Sequence, residues 1–147
     1  MSDLEDRLAL VMRLYLDANI IIYFIEGCGV EHERTRAIIA AAVAQNIRLV
    51  SSELSIAECL HGPLRQGQED VAALFRSFFL DGDVIELVPA IPEVLEIAAR
   101  IGSRHKFRLA DSIHVASAMM ANCDAFITND KKLKCSPELD IIRLFEV

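Results

Sequence analysis

No apolar run in this chain approaches the roughly 20 residues that a membrane span requires. The longest, Asn19 to Ile25, is short and follows an aspartate, so a membrane-embedded role is not expected. There is no CxxC pair, and Cys28, Cys59, Cys123 and Cys135 stand apart from one another and from any histidine at ligand spacing. That pattern argues for free thiols in a reducing compartment rather than a zinc site or a disulfide framework. The opening Met1-Ser2-Asp3-Leu4-Glu5-Asp6-Arg7 carries three acids and lacks the basic start of a signal peptide; the expectation is a cytoplasmic protein. An internal repeat, a low-complexity tract and a linker are also missing. The 147 residues are therefore expected to form a single domain, with residues 1–10 as an N-terminal extension, frayed or one extra helical turn. Basic charge is scarce too: 15 Lys and Arg against 22 Asp and Glu leave a net charge of −7. With a pI near 5.0, this composition taken alone disfavours a general nucleic-acid binder.

What is present is a generous core, 53% hydrophobic, with 25% charged residues, a globular balance. A chain of this length buries roughly two thirds of its unfolded surface. The charge is also unevenly spread. Between Glu96 and Asp111 there is no acid, while Arg100, Arg104, Lys106 and Arg108 all fall there, and Lys131, Lys132 and Lys134 follow Asp130. These cations either complement helix ends or line a path for a phosphate backbone.

Strand and helix patterns alternate. Strands are expected at Val11–Leu16, Ile47–Val50, Val84–Val88, Ala125–Thr128 and Ile141–Leu144. Helices are expected at Arg34–Gln45, Glu53–His61, Val71–Leu80, Pro92–Ser103 and Leu109–Asn122. Ser51 and Ser52 serve as N-caps and Gly62-Pro63 as the stop of the second helix. The run Ile20-Ile21-Ile22-Tyr23-Phe24-Ile25 has strand propensity, but a turn or helix N-cap at Asp17-Ala18-Asn19 separates it from the first strand. Alternation of this kind predicts a mainly parallel sheet covered on both faces. In such sheets ligands bind beyond the carboxyl ends of the strands, where right-handed crossovers also bring the helix N-termini.

Four acids map to that edge. Asp17 and Asp130 follow strands, Asp111 opens a helix, and Glu58 lies one to two turns into another and must lean inward. Each has an ordinary explanation: N-cap, helix-dipole acid, turn former, or a partly buried Glu paired with an Arg. Together, with no Lys or Arg interleaved, they would repel one another unless a divalent cation bound. Asn19 and Thr128 would orient the carboxylates. Oxygen ligands of this kind suit Mg²⁺ or Mn²⁺ rather than zinc, and such ions support phosphoryl-transfer chemistry. His114, on the Asp111 helix, is read as a packing or hydrogen-bonding residue.

Leu14-Tyr15-Leu16-Asp17-Ala18-Asn19, Ser55-Ile56-Ala57-Glu58, Leu109-Ala110-Asp111-Ser112-Ile113-His114-Val115-Ala116-Ser117-Ala118 and Phe126-Ile127-Thr128-Asn129-Asp130 resemble, in order and spacing, the motifs of PIN-domain ribonucleases. The likeness runs from about Met12 to the C-terminus and is strongest to the VapC-type toxins of toxin–antitoxin pairs. It implies a three-layer α/β/α fold with a central parallel sheet of about five strands in 3-2-1-4-5 order. It implies that Asp17, Glu58, Asp111 and Asp130 are metal-binding acids, with Asn19 and Thr128 matching the family's accompanying polar residues. It further implies Mg²⁺- or Mn²⁺-dependent endonucleolytic cleavage of RNA, a homodimer, and a cognate antitoxin. Arg100, Arg104, Lys106, Arg108, Lys131, Lys132 and Lys134 are the candidates for the RNA path. The acidic N-terminal segment and the low pI are less typical of the family.

Rival readings fare worse on the residues. A haloacid-dehalogenase-like phosphatase needs a second Asp two residues after the first, where this chain has Asn19. A receiver-like domain needs an Asp ending its third strand, where Val84-Ile85-Glu86-Leu87-Val88 runs into Pro89. The remaining alternative is a catalytically silent PIN-like interaction module in an RNA-processing or regulatory complex, against which the intact acids argue.

Overall fold

Leu14, Tyr15 and Leu16 form the central strand, and their alternation sets the layers of the molecule. A computed structural model describes residues 3–133 and 139–145. Strand β1 (Arg13–Leu16) lies between β2 (Arg48–Ser52) and β4 (Ala125–Thr128). The outer strands are β3 (Glu86–Val88) beside β2 and β5 (Asp140–Arg143) beside β4. All pairings are parallel and the order is β3-β2-β1-β4-β5, which is the arrangement the resemblance implied. Five parallel strands put all their carboxyl ends on one edge.

Side chains alternate across this sheet into two cores. Leu14, Leu16, Leu49, Ala125, Ile127 and Ile142 join one cluster, to which α2 (Ala18–Glu26), α3 (Val30–Ala44), α4 (Leu54–Arg65) and α5 (Glu69–Leu80) contribute. Tyr15, Val50, Val88 and Phe126 face the other, built with α6 (Pro92–Arg104) and α7 (Leu109–Met120). The short α1 (Asp3–Leu8) docks Leu4 and Leu8 into the first cluster, and Arg7 pairs with Asp140 at 2.9 Å. The acidic N-terminal segment is thus a packed helix from Asp3 onward. Among the described residues no helix is long and apolar enough to cross a membrane.

Where propensity left a segment open or misjudged it, packing decided. The β-branched run after Asp17 is a helix, because the Asp17 carboxylate caps it and Ile20 and Ile21 are fully buried against the sheet; tertiary burial overrides strand propensity. Gly62-Pro63 does not stop α4, which continues to Arg65. Ser55, Cys59 and Pro63 form its buried stripe at four-residue spacing, so packing of the Pro63 ring offsets the hydrogen bond that its missing N–H forfeits. Ser51 and Ser52 belong to β2 rather than to the cap position, although the Ser52 hydroxyl still accepts from the Leu54 N–H at 3.0 Å. Of the cysteines, Cys28 is exposed, and Cys59 and Cys123 are buried and free; burial pushes the Cys123 thiol up to about 12. Cys135 lies outside the described residues.

Candidate active site

Asp17 stands where β1 gives way to α2, and both of its carboxylate oxygens are engaged. Oδ1 accepts from the Ala18 N–H at 2.8 Å. Oδ2 accepts from the Thr128 hydroxyl at 2.6 Å and from the Asn19 side-chain amide at 3.4 Å. Thr128 ends the adjacent strand β4 and is fully buried. Its Oγ1 also accepts from the Asp130 N–H at 3.0 Å, so one hydroxyl ties Asp17 to the loop that carries Asp130. Asn19 adds a second tie by accepting from the Asn129 N–H at 3.4 Å. Asp130 forms an Asx turn, with its Oδ1 accepting from the Lys132 N–H at 2.9 Å.

Asp111 is buried in the first turn of α7. That helix is brought close to α6 at Gly102, where a Cβ would fall 2.9 Å from the Ser112 hydroxyl. The residue just before α7, Arg108, reaches across the edge. Its Nε is 3.5 Å from Asp111 Oδ2 and its Nη2 is 3.9 Å from Asp130 Oδ2. The expectation that no cation interleaves the acids is therefore corrected: a guanidinium from this chain stands against two of them.

Glu58 leans inward from α4, and what it meets is His114. The Nε2 of that imidazole is 2.6 Å from Glu58 Oε1 and 3.8 Å from Asp17 Oδ1. Its Nδ1 is 2.7 Å from the Tyr15 hydroxyl. His114 comes to this place because it lies three residues after Asp111 on the same helical face. Tyr15 arrives from β1, pointing opposite to Leu14 and Leu16, and stacks on Phe126 with centroids 4.9 Å apart.

The electrostatics follow from burial. Desolvation raises the Asp17 carboxyl above its ordinary value and Glu58 adds repulsion; nearby His114, the Thr128 hydroxyl and the Ala18 N–H oppose this without cancelling it. Desolvation alone would lower the His114 imidazole, but its bond to Glu58 and the charges of Asp17, Glu58 and Asp111 raise it. The Tyr15 phenol is pushed well up by burial and by Asp17, so it keeps its proton.

The four acids thus reach one edge, though not as a ready-made claw: among the described residues no three His, Cys, Asp or Glu side chains stand close enough to share an ion. Asn19 and Thr128 take the orienting positions expected of them. Among the described basic candidates, Arg108 is the one in ion-pair range of the acids. Arg100 pairs with Glu96 at 3.2 Å on the exposed side of α6. Arg104 ends α6, Lys106 is exposed in the connection to α7, and Lys131 and Lys132 are exposed just beyond Asp130. Lys134 lies outside the described residues. The Tyr15–His114–Glu58 chain was not anticipated as a unit; the three-residue offset from Asp111 was the signal available for His114.

Comparison with known proteins adds a family and a fold. The PIN domain model matches residues 14–135, while no curated protein matches. Among solved structures, the chain resembles VapBC2 of Rickettsia felis bound to a promoter DNA fragment, with a TM-score of 0.72 and 18% identity over 90% of this chain and 98% of that one. A toxin–antitoxin complex from Klebsiella pneumoniae gives a TM-score of 0.67 and 18% identity, covering 91% and 99%. VapC20 of Mycobacterium tuberculosis, a toxin that cleaves the sarcin–ricin loop, gives 0.65 and 11%, covering 77% and 86%.

Proposed function

The chain belongs to the PIN domain family, and from that premise we propose that it is a Mg²⁺- or Mn²⁺-dependent endoribonuclease of the VapC toxin kind. The observation that supports this reading is that the Thr128 hydroxyl joins Asp17 to the Asp130 loop at the carboxyl edge of the sheet, while Arg108 spans Asp111 and Asp130 there. The donors are carboxylate oxygens, which suit a hard divalent cation. The raised Asp17 carboxyl is also what a buried acid lacking sufficient positive charge would show. Asp17, Asp111 and Asp130 would hold the ion, with Glu58 completing the set directly or through water. When bound, such an ion activates water and stabilises charge developing on the phosphate.

The chain's own residues supply the rest. Thr128 and Asn19 fix the rotamer of Asp17, so that little reordering is left for the reaction itself. Lys131 and Lys132, exposed beside Asp130, suit contacts with RNA phosphates, and Arg104, Lys106 and Lys134 belong to the same proposed path. Partners of the VapBC kind, a cognate antitoxin and a second copy of the chain, fit this reading, as does a cytoplasmic location.

A second reading, a silent PIN-like interaction module, is favoured by one observation: Arg108 already supplies a cation to Asp111 and Asp130. Thermal melting of chelator-treated protein against Mn²⁺, beside Asp111→Asn and with RNA cleavage measured in parallel, separates the two. An ion that binds only the folded state stabilises it by about 2.7 kcal/mol at a hundred times Kd. The ribonuclease reading expects that rise in the wild type, its loss in the variant, and Mn²⁺-dependent cleavage. No rise and no cleavage would leave the interaction module standing.

A further inference from the structure

We propose that His114 is a positioning residue for Glu58: its Nε2–H, fixed by the Tyr15 hydroxyl on Nδ1, holds the Glu58 carboxylate at the rim of the acidic edge. The inference rests on the metal-site reading above, and it assigns a task to a buried pair, Tyr15 and His114, that the reading leaves idle.

Glu58 is the least constrained of the four acids. It projects from a helix, its side chain is 33% exposed, and the one side-chain hydrogen bond described for it is the 2.6 Å contact to His114. A glutamate with three rotatable bonds and access to water would otherwise point into solvent. His114 is 1% exposed and has no such freedom. Its ring meets Tyr15 edge-on at 5.8 Å, and Tyr15 is in turn stacked on Phe126.

The hydrogen-bonding inventory fixes the tautomer. An ionised carboxylate only accepts, so Nε2 must carry a proton. Neutral His114 then has an unprotonated Nδ1, and the Tyr15 hydroxyl, which keeps its proton in this buried setting, donates to it at 2.7 Å. Were the ring doubly protonated, Nδ1–H would donate to the phenol oxygen instead. In both forms Nε2–H faces Glu58, so the orientation of the acid survives a change of charge on the ring. The same Nε2 lies 3.8 Å from Asp17 Oδ1, which places Glu58 beside Asp17 rather than out over α4. The hydrogen bond described between the imidazole and the acids goes to Glu58, so the relay positions the site through that residue.

Mn²⁺ affinity, by calorimetry or by the shift in melting temperature, would be measured for wild type, His114→Gln, His114→Leu, Tyr15→Phe, Glu58→Gln and the double variant Glu58→Gln/His114→Leu. Loss of a residue that holds a metal's ligand typically costs roughly 10–100-fold in affinity or activity, and that loss is expected for His114→Leu. His114→Gln can set an amide N–H near the position of Nε2 and should recover most of it, while keeping a polar, foldable interior. Tyr15→Phe should fall between, with the ¹⁵N shifts of His114 showing a mixture of tautomers in place of one. In the Glu58→Gln background, His114→Leu should cause no further loss, since its route to the site is gone.

Wild-type Mn²⁺ affinity retained in His114→Leu would overturn the proposal while leaving the metal site intact. An equal further loss in the double variant would overturn it too, by showing that His114 acts on the site directly or through the fold. Failure of the wild type to bind Mn²⁺ at all would remove the metal-site reading and this inference with it.

Discussion

The acidic edge has an inner half and an outer half, and they are built differently. The inner half is Asp17 and Thr128, paired at 2.6 Å, with Tyr15 and His114, paired at 2.7 Å, behind them: all buried and mounted on β1, β4 and α7. The outer half is Arg108 and Asp130, with side chains 72% and 16% exposed; Glu58, 33% exposed, is tied to the inner half by His114 at 2.6 Å. Arg108 meets Asp111 and Asp130 only at 3.5 and 3.9 Å. Short bonds among buried groups fix geometry before any ligand arrives, at the cost of desolvating a carboxylate. Longer, exposed ion pairs contribute about 0–1 kcal/mol and are readily exchanged. The inner half is therefore preorganised, and the outer half is free to re-form around an ion and a phosphate.

The sharpest way to break that contrast is Asp17→Asn, which should move activity and stability in opposite directions. Metal-dependent cleavage should fall by more than the roughly 10–100-fold typical of losing a ligand-orienting residue. The metal-free fold should gain about 1 kcal/mol, roughly 3 °C for a chain of this size. The sign follows from the raised carboxyl. Because the folded form holds the Asp17 proton more tightly than the unfolded form does, ionised Asp17 disfavours folding. The penalty is absent below the ordinary value of 3.8 and grows as pH rises from there through the folded value. Melting curves at pH 3.5 and pH 7 should thus show the variant's advantage only at the higher pH. An equal advantage at both, or none at either, would mean that burial is not straining this acid.

Thr128→Val comes next in size and tests the same half without touching a charge. The substitution keeps the shape but removes the hydroxyl that serves Asp17 Oδ2 and the Asp130 N–H. Leaving buried polar groups without their partner costs about 1–3 kcal/mol, and cleavage should drop by roughly 10–100-fold. Thr128→Ser should restore both. A valine variant with wild-type activity would show that Asp17 needs no help to hold its rotamer.

This contrast also explains which parts of the molecule were legible in the chain. The strands and the edge that gathers the four acids follow from alternation and from the rule that parallel strands present their carboxyl ends together, whereas the sheet order came from the resemblance to PIN-domain ribonucleases. The Ile20–Ile25 run was ambiguous, because β-branched residues favour strand until Asp17 caps them and the sheet buries Ile20 and Ile21. Pro63 misled because a helix breaker was judged without the buried stripe it belongs to. At the site, the positions of the acids were readable from the elements that carry them, whereas most of their partners were not. The three-residue offset of Arg108 from Asp111 was a local signal for that pair, but nothing local says that the guanidinium also reaches Asp130. Glu58 and His114 meet across 56 residues of chain, a distance over which periodicity carries no information.

Arg108→Gln is the smallest effect and has the opposite sign, which makes it the test of the outer half. If Arg108 stands where an ion would gather the same carboxylates, removing it removes a competitor. Mn²⁺ should then bind tighter, by about 2–5-fold, the range set by an exposed pair of 1 kcal/mol or less. Salt should separate this gain from a general effect. Screening weakens the exposed Arg108 pairs, so the difference between wild type and variant should shrink between low and high ionic strength. RNA cleavage gives the second half of the answer. Faster cleavage at limiting Mn²⁺ would make Arg108 a stand-in for the ion alone. Tighter Mn²⁺ with slower cleavage would mean that the guanidinium, once displaced, contacts the substrate phosphate. Unchanged Mn²⁺ affinity would remove the idea of a stand-in altogether, and with it the one structural argument for the silent interaction module.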